Sequence, residues 1–560
     1  MNGLNTFFPY PWFSVGPFNS LVALGIISLF ILIFIYSLGF MKLNKKGFYY
    51  YTCIFLTAIV SVITVLANNL MVLLVGWGFL GLLMYLLINL GPDKNKASLA
   101  AKKSFIIVGG SDVFMILGVC IVYYLCGTFQ MDKIRISLLS APLLIPSVAY
   151  LSLAVACFAK AGAMPLHSWI PDCAESAPIP VTAILPASLD KLLGIYLLVK
   201  ISQDLFILNP AMRILLMLLG AFTIISAVFM ALIQHNSKRL LGYHAVSQVG
   251  YMVLGIGTGN PLGIIGGIFH MFNNVLYKTS LFLSVGNVEH RLHNSELNKQ
   301  GGLAKYMPLT YLSVLIASLS ISGIPPFNGF FSKWMIYQGL ISQLWVRDYK
   351  LQITAGICLT AAMFGSGLTL ASFMKLLHAS FLGQPTEKIA EERPKEVSWL
   401  MWFPALLLSF LCLLVGVAVL LILASKGGKE LTYSSFLAGL APLIAFALIL
   451  VGLLSGIIIY YFLYFGKLTR QDQIFIGGEL IPLENKVSGT EFYNTISEIR
   501  ILGPVYKKAE AKIFDIYEQG KNLVFAIGRF FQYLHNGVLP TYLVWMLMGM
   551  IGLFWFFAKR

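Results

Sequence analysis

Apolar residues in this chain come in long uninterrupted runs, not in the alternation of a sheet or the one-sided stripe of a soluble helix. Stretches long enough to cross a hydrocarbon core of ~30 Å fall at 18–41, 48–66, 68–90, 104–126, 144–161, 180–200, 211–233, 240–258, 261–287, 308–345, 351–383, 399–425, 434–465 and 541–558. The pattern predicts an all-α polytopic membrane protein with about 14 transmembrane helices. Two of the runs are interrupted in a similar way. Around 159–180 the chain reads AKAGAMPLHSWIPDCAESAPIP, and around 322–333 it reads SGIPPFNGFFSK. Gly162, Pro165, Pro325, Pro326 and Gly329 break these helices and leave backbone groups that only protein or a water-filled cavity can satisfy at membrane depth. The segment 466–540 is different: it is polar, and from 491 onward it shows helical periodicity through Phe492, Ile496, Ile499, Leu502, Tyr506, Ile513, Tyr517 and Val524. That pattern predicts an amphipathic helix lying along the membrane surface, followed by a terminal anchor.

Ionisable side chains interrupt the apolar runs at Lys160, Lys191, His270, Lys278 and Lys333, and acids lie well inside spans at Asp112 and Asp190. An unpaired charge at the bilayer centre costs at least ~3 kcal/mol, so such residues mark proton or ion paths. His270, Asn274 and Lys278 are spaced i, i+4 and i+8, which places them on one helix face over about 12 Å. Lysine suits a relay because burial favours its neutral form and a nearby acid favours the charged one.

Composition and charge then narrow the class. The 560 residues are 58% hydrophobic and only 11% charged, which excludes a soluble globule. The formal charge of +16 invites a nucleic-acid partner, but 24 of the 39 Lys and Arg residues fall in 42–47, 91–103, 234–239, 288–307, 384–398 and 466–540. That asymmetry is the positive-inside signature, with the N-terminus outside and these segments cytoplasmic. The seven cysteines are scattered singly, with no CxxC and no Cys/His cluster at metal spacing, so no cofactor or metal site is expected in this chain. Residues 1–17 lack a basic n-region, and the first span is expected to act as the insertion signal.

The strings AKAGAMPLHSWIPDCAESAPIPVTAILPASLDKLLGIYLL, HNSKRLLGYHAVSQVGYMVLG, GIFHMFNNVLYKTSLFLSVGNV and GIPPFNGFFSKWMIYQGL resemble the antiporter-like membrane subunits. This family is shared by respiratory complex I, multisubunit sodium/proton antiporters and energy-converting nickel–iron hydrogenases. The resemblance covers roughly residues 15–385, and PASLDKLLGIY, SKWMIYQG and the tail look most like the large hydrogenase-type subunit. It implies that Lys160 belongs to the proton-transfer half-channel, that Lys191 and Lys238 match basic positions of the family, that His270 and Lys278 lie on a connecting helix, and that Lys333 ends the exit half-channel. A plain positive-inside role for Lys238, beside Arg239, stands as an alternative. Asn274 occupies a place where some members carry a second histidine.

Two departures from the family pattern stand out. The family's glutamate in the span corresponding to 68–90 is replaced by Gly78 in VGWGFLGLLMYLLI, which leaves Asp112 and Asp190 as the available acids. The chain also begins in the segment ahead of the family's third helix, so a face of the bundle is expected to need cover from neighbouring subunits or lipid. The expected organisation is an N-terminal segment and first span at 1–47, five-helix repeats of inverted topology at 48–200 and 211–383, peripheral spans at 399–465, a cytoplasmic-side lateral helix at 466–540 and an anchor at 541–560. The implied function is translocation of protons, or of sodium, within the membrane arm of a redox-driven complex of a prokaryotic cell membrane. Its partners would be other membrane-arm subunits and a peripheral arm holding Fe–S clusters and, in hydrogenase-type assemblies, a Ni–Fe centre. A secondary cation/proton antiporter subunit and a non-conducting scaffold subunit are the alternatives.

Overall fold

The computed structural model describes residues 12–41, 45–139, 143–426 and 502–559, with isolated positions between 447 and 500. The expected span at 434–465, most of 466–500 and the extreme N-terminus lie outside the described residues. The described chain is almost wholly helical: α1 Pro17–Phe40, α2 Lys45–Leu66, α3 Leu70–Ile88, α4 Lys94–Cys126, α5 Leu144–Ala161, α6 Trp169–Ser176, α7 Ile179–Ile184, α8 Asp190–Val199, α9 Pro210–Leu232, α10 Ser237–Gly257, α11 Pro261–Leu292, α12 Pro308–Ser322, α13 Asn328–Gln343, α14 Tyr349–Leu377, α15 Glu387–Glu392 and α16 Trp399–Lys426, then α17 Leu502–Glu510, α18 Ile516–Leu534 and α19 Leu539–Ala558. A single π-helical turn, Leu185–Leu189, joins α7 to α8.

Local sequence sets the helix ends. Asn69, Asp93, Asn209, Asn236, Asn260 and Asp348 are N-caps whose side-chain oxygens accept first-turn amide protons, which satisfies donors that a membrane cannot. Among the described residues, ten stretches are long and apolar enough to cross a membrane. α10 and α11, 21 and 32 residues long, are not among those ten because they carry the polar side chains of the core.

The stretch Ile179–Leu205 is fully enclosed by the rest of the bundle. It packs on α1, α5, α10 and α11, while α16 lies against α1, α11, α12 and α13. Lipid offers no hydrophobic drive for helices to associate, so close backbone approach matters. α9 and α10 achieve it through Gly220 and Gly250: a Cβ on Gly250 would come within 2.6 Å of the Gly220 carbonyl oxygen.

Residues Arg500–Arg560 form a separate compact unit. The tail is not one continuous helix: Lys512 adopts a left-handed conformation, φ 57°, and Asp515 caps α18 through the Tyr517 amide. On α18, Leu523, Val524, Ile527, Phe530 and Phe531 are exposed and fall on one face, with Glu518 and Lys521 paired nearby. α19 is long and apolar enough to span.

Candidate functional site

Both interrupted runs fold as helix breaks with the same grammar. α5 ends at Gly162 (φ 83°) and α12 at Gly323 (φ 82°), left-handed caps that strongly favour glycine. Three residues after each comes a proline, Pro165 and Pro326, each following a cis peptide bond. The broken ends recruit side chains: Trp169 Nε1 donates to the Ala159 carbonyl at 3.0 Å, and Lys333 Nζ donates to the Ile321 carbonyl at 2.8 Å. Gly329 and Gly162 are needed for packing, since a Cβ would run into the Ser320 carbonyl and the Ile170 side chain respectively.

Around the first break the structure gathers four of the predicted residues. Lys160 is buried on the last turn of α5, donates to the Trp77 carbonyl at 3.4 Å and lies 4.8 Å from the centre of the Trp77 ring. Its charge is felt by two acids, Asp190 from α8 and Asp112 from α4. Asp112 is half-buried, and its Oδ2 lies 4.0 Å from where a Cβ on Gly78 would stand. Lys191 Nζ has no hydrogen-bond partner among the described residues; it lies 5.6 Å from the Trp169 ring centre and 3.7 Å from the Cβ position of Gly162. The amine therefore faces the break.

Around the second break lie the rest. Lys333, on α13, sits 4.8 Å from the Tyr251 ring centre, with its Nζ on the α12 carbonyl terminus, where the helix dipole favours a cation. His270 Nδ1 meets Ser332 Oγ at 2.9 Å, and its Nε2 meets Gln248 Oε1 at 3.1 Å and Tyr277 Oη at 3.3 Å. Asn273 and Asn328 exchange bonds of 2.9 and 3.0 Å, which lock α11 onto the start of α13. Between the two breaks, Lys278 Nζ donates to the Leu241 carbonyl at 2.9 Å. Asn274 turns the other way and donates to the Ala187 carbonyl of the π turn at 3.2 Å.

Lys238 stands apart from this line. It begins α10 and pairs with Glu289 of α11 at 2.8 Å, and next to it Arg239 pairs with Asp172 and Glu175 of α6 at 2.9 and 3.0 Å.

Three buried groups are not singled out by sequence reasoning. His244 and Gln248 lie on α10 at i and i+4, with Tyr251 three residues further on the same face. Lys375 of α14 donates to the Leu232 and Gln234 carbonyls at 2.8 and 2.9 Å. The available signal was helical spacing inside GYHAVSQVGYM, but every residue from Leu240 to Gly257 is buried, so no polar face stands out against an apolar one.

Protonatable and hydroxyl groups are thus buried or half-buried on α4, α5, α8, α11, α10 and α13, held by the contacts given above. No group of three or more His, Cys, Asp or Glu able to hold a metal occurs among the described residues.

Residues 67–372 match the family described as NADH:quinone oxidoreductase/Mrp antiporter, TM. The chain is 31% identical over 441 residues to the chloroplastic NAD(P)H-quinone oxidoreductase subunit 5 of Chaetosphaeridium globosum, covering 73% of this chain and 63% of that one. It is 37% identical over 274 residues to hydrogenase-4 component B of Escherichia coli, covering 46% and 40%. The chain thus spans less than two thirds of the length of these relatives. A chain of the archaeal membrane-bound sulfane sulfur reductase shares the fold, with a TM-score of 0.75 over 97% of this chain and 89% of that one at 22% identity. The chain is a member of the NADH:quinone oxidoreductase/Mrp antiporter family of membrane proteins.

Proposed function

We propose that this chain is a proton-translocating membrane-arm subunit of a multisubunit, redox-driven complex. The observation that carries the reading is the set of protonatable groups Asp112, Lys160, Asp190, Lys191, Lys278, His270 and Lys333, all but the half-buried Asp112 fully enclosed, which reads as one file. Four lysines in it are essentially inaccessible to solvent, and desolvation of a cation without a function would select against them. Each ammonium is balanced by a movable acid, a backbone carbonyl or an aromatic face, so small displacements shift a proton between neighbours.

The two breaks supply the half-channels. They support a division into inverted repeats at 48–200 and 211–383, each of five spans, with Gly162/Pro165 and Gly323/Pro326 in corresponding places. Asp112 takes the role of the acid that switches Lys160, because its carboxylate lies beside the space that a side chain at position 78 would enter. Other membrane-arm subunits and a peripheral redox arm with Fe–S clusters, and a Ni–Fe centre in a hydrogenase-type assembly, are the partners. The resemblance of PASLDKLLGIY and SKWMIYQG to the hydrogenase branch favours that assembly, in a prokaryotic cell membrane with the tail on the cytoplasmic side. Protons are favoured over sodium because the file is rich in nitrogen bases and poor in the clustered oxygen ligands that a hard cation prefers.

The test is proton uptake by proteoliposomes holding the complete complex, driven by its own redox reaction. Lys160→Ala and Lys333→Ala should each assemble and lose uptake by at least about tenfold, as expected for removal of a proton-transfer group. Wild-type uptake in both would take these lysines out of the path.

A further inference from the structure

His270 and Lys278 both belong to α11, yet eight residues of helix separate them, about 12 Å along the axis. That is several times the reach of one hydrogen bond. The residue at the intermediate level on the same face, Asn274, cannot fill the gap: an amide side chain does not take up a proton near neutral pH, and its Nδ2 is committed to the Ala187 carbonyl at 3.2 Å. The file described above therefore has a missing rung between its two halves.

The neighbouring helix supplies a group at that level. His244 of α10 is fully buried. Its ring lies 4.7 Å from the centre of Phe373, the aromatic face that Lys278 Nζ also approaches, at 5.6 Å. Lys278 Nζ is bonded to the Leu241 carbonyl, three residues before His244 on α10, so the amine and the imidazole share one pocket between α10, α11 and α14. On the other side, Gln248, one helical turn further along α10, carries the bond to His270, and Tyr251 carries the ring beneath Lys333. His244 Nε2 meets Ser372 Oγ at 2.7 Å, while Nδ1 is buried with no hydrogen-bond partner among the described residues. A buried imidazole with one anchored and one open nitrogen can receive a proton on the open nitrogen and release one from the anchored nitrogen.

We propose that His244 is the proton-carrying rung that joins the Lys278 end of the file to the His270–Lys333 end, replacing the missing base at position 274. The ammonium of Lys278 gives a proton to Nδ1 of His244. The imidazolium then loses its Nε2 proton to the Ser372 hydroxyl, whose own proton moves on toward His270 and Lys333. Lysine returns to the neutral amine and the imidazole to its neutral form in the other tautomer, and rotation of the ring resets it. The charged and titratable groups around it are Lys278 of α11, Lys333 of α13 and, further along, His270. The proposal rests on the proton-translocating reading above.

The experiment uses the complete complex in proteoliposomes and measures protons taken up per electron transferred. Lys333→Ala is run in parallel to test the path itself. His244→Gln keeps a hydrogen-bonding group for Ser372 but cannot be protonated, and it should lower uptake by at least about tenfold in a complex that retains its subunits. His244→Asn serves the same purpose should the glutamine variant fail to assemble. Adding Asn274→His to the His244 variant puts the base back on α11 and should restore a substantial part of the uptake. Normal uptake in the His244 variant alongside lost uptake in Lys333→Ala overturns the proposal while leaving the path intact. Normal uptake in both overturns the path as well. A loss that Asn274→His leaves unrestored, in a double variant that co-purifies with its partners, also overturns the claim that a base at this level is what matters.

Discussion

Under the proposed function, Asp112 is the carboxylate placed to stand in for the glutamate that the family resemblance implies at position 78. Asp112 Oδ2 lies 4.0 Å from the Cβ position of Gly78, and Oδ1 is buried with no hydrogen-bond partner among the described residues. With Oδ1 free of donors, the carboxylate can follow the charge on Lys160, whose backbone contact, the Trp77 carbonyl, adjoins Gly78. Asp112→Asn should therefore impair coupled proton uptake by at least about tenfold, and Gly78→Glu placed on that background should restore part of it. An inert Asp112→Asn, measured by the same uptake assay, would favour a scaffold role. At this scale the lysines and acids were legible because a charge in an apolar run needs no tertiary information to be noticed. His244 and Lys375 were not. Both lie toward the ends of their apolar runs, 240–258 and 351–383, where an ionisable side chain reads as an interfacial one, and their partners are on other helices.

Among the elements, α6 is too short to be stable by itself. It has eight residues and follows directly from the first break. Besides the buried Trp169, Ile170 and Cys173, a set of ion pairs ties it to its neighbours: Asp172 to Lys103 of α4 at 2.7 Å and to Arg239 of α10 at 2.9 Å, and Glu175 to Arg239 at 3.0 Å and Lys96 at 3.7 Å. Asp172 serves two partly buried cations, whereas the Lys96 arm is exposed. Thermal unfolding of the detergent-solubilised complex should show Asp172→Ala destabilised by about 1–3 kcal/mol, the cost of leaving a buried hydrogen-bonding group unsatisfied. Glu175→Ala should lose only about 0–1 kcal/mol, because Arg239 keeps Asp172 and an exposed pair contributes little. Equal effects would mean that the buried half of the set is not the anchor. The breaks were visible in the sequence because Gly and Pro in an apolar run cannot continue a helix, but these ion pairs were not. Lys103, Asp172 and Arg239 are 67 or more residues apart, and nothing local pairs them.

On the scale of the whole molecule, apolar runs alone located most of the helices, since each must satisfy its backbone internally in lipid. The single lateral helix expected for the tail is instead two helices, α17 and α18, interrupted at Lys512–Asp515, because a side-chain cap at Asp515 outweighs the periodicity that runs through it. The exposed apolar face of α18, with Phe530 and Phe531 on it, is suited to a strap across neighbouring subunits, where covering it contributes ~25 cal/mol per Å² of apolar area. Deleting 488–560 should accordingly release this subunit, or the distal part of the arm, when the complex is purified in mild detergent, and co-purification of every partner would leave the face to lipid alone. The central claim, that the buried file carries protons coupled to redox turnover, is tested most directly by the ratio of protons translocated to electrons transferred, measured in one proteoliposome preparation for the unaltered complex and for Lys160→Ala. The account predicts that the ratio falls in the variant while the subunits stay together; an unchanged ratio at full assembly would contradict it.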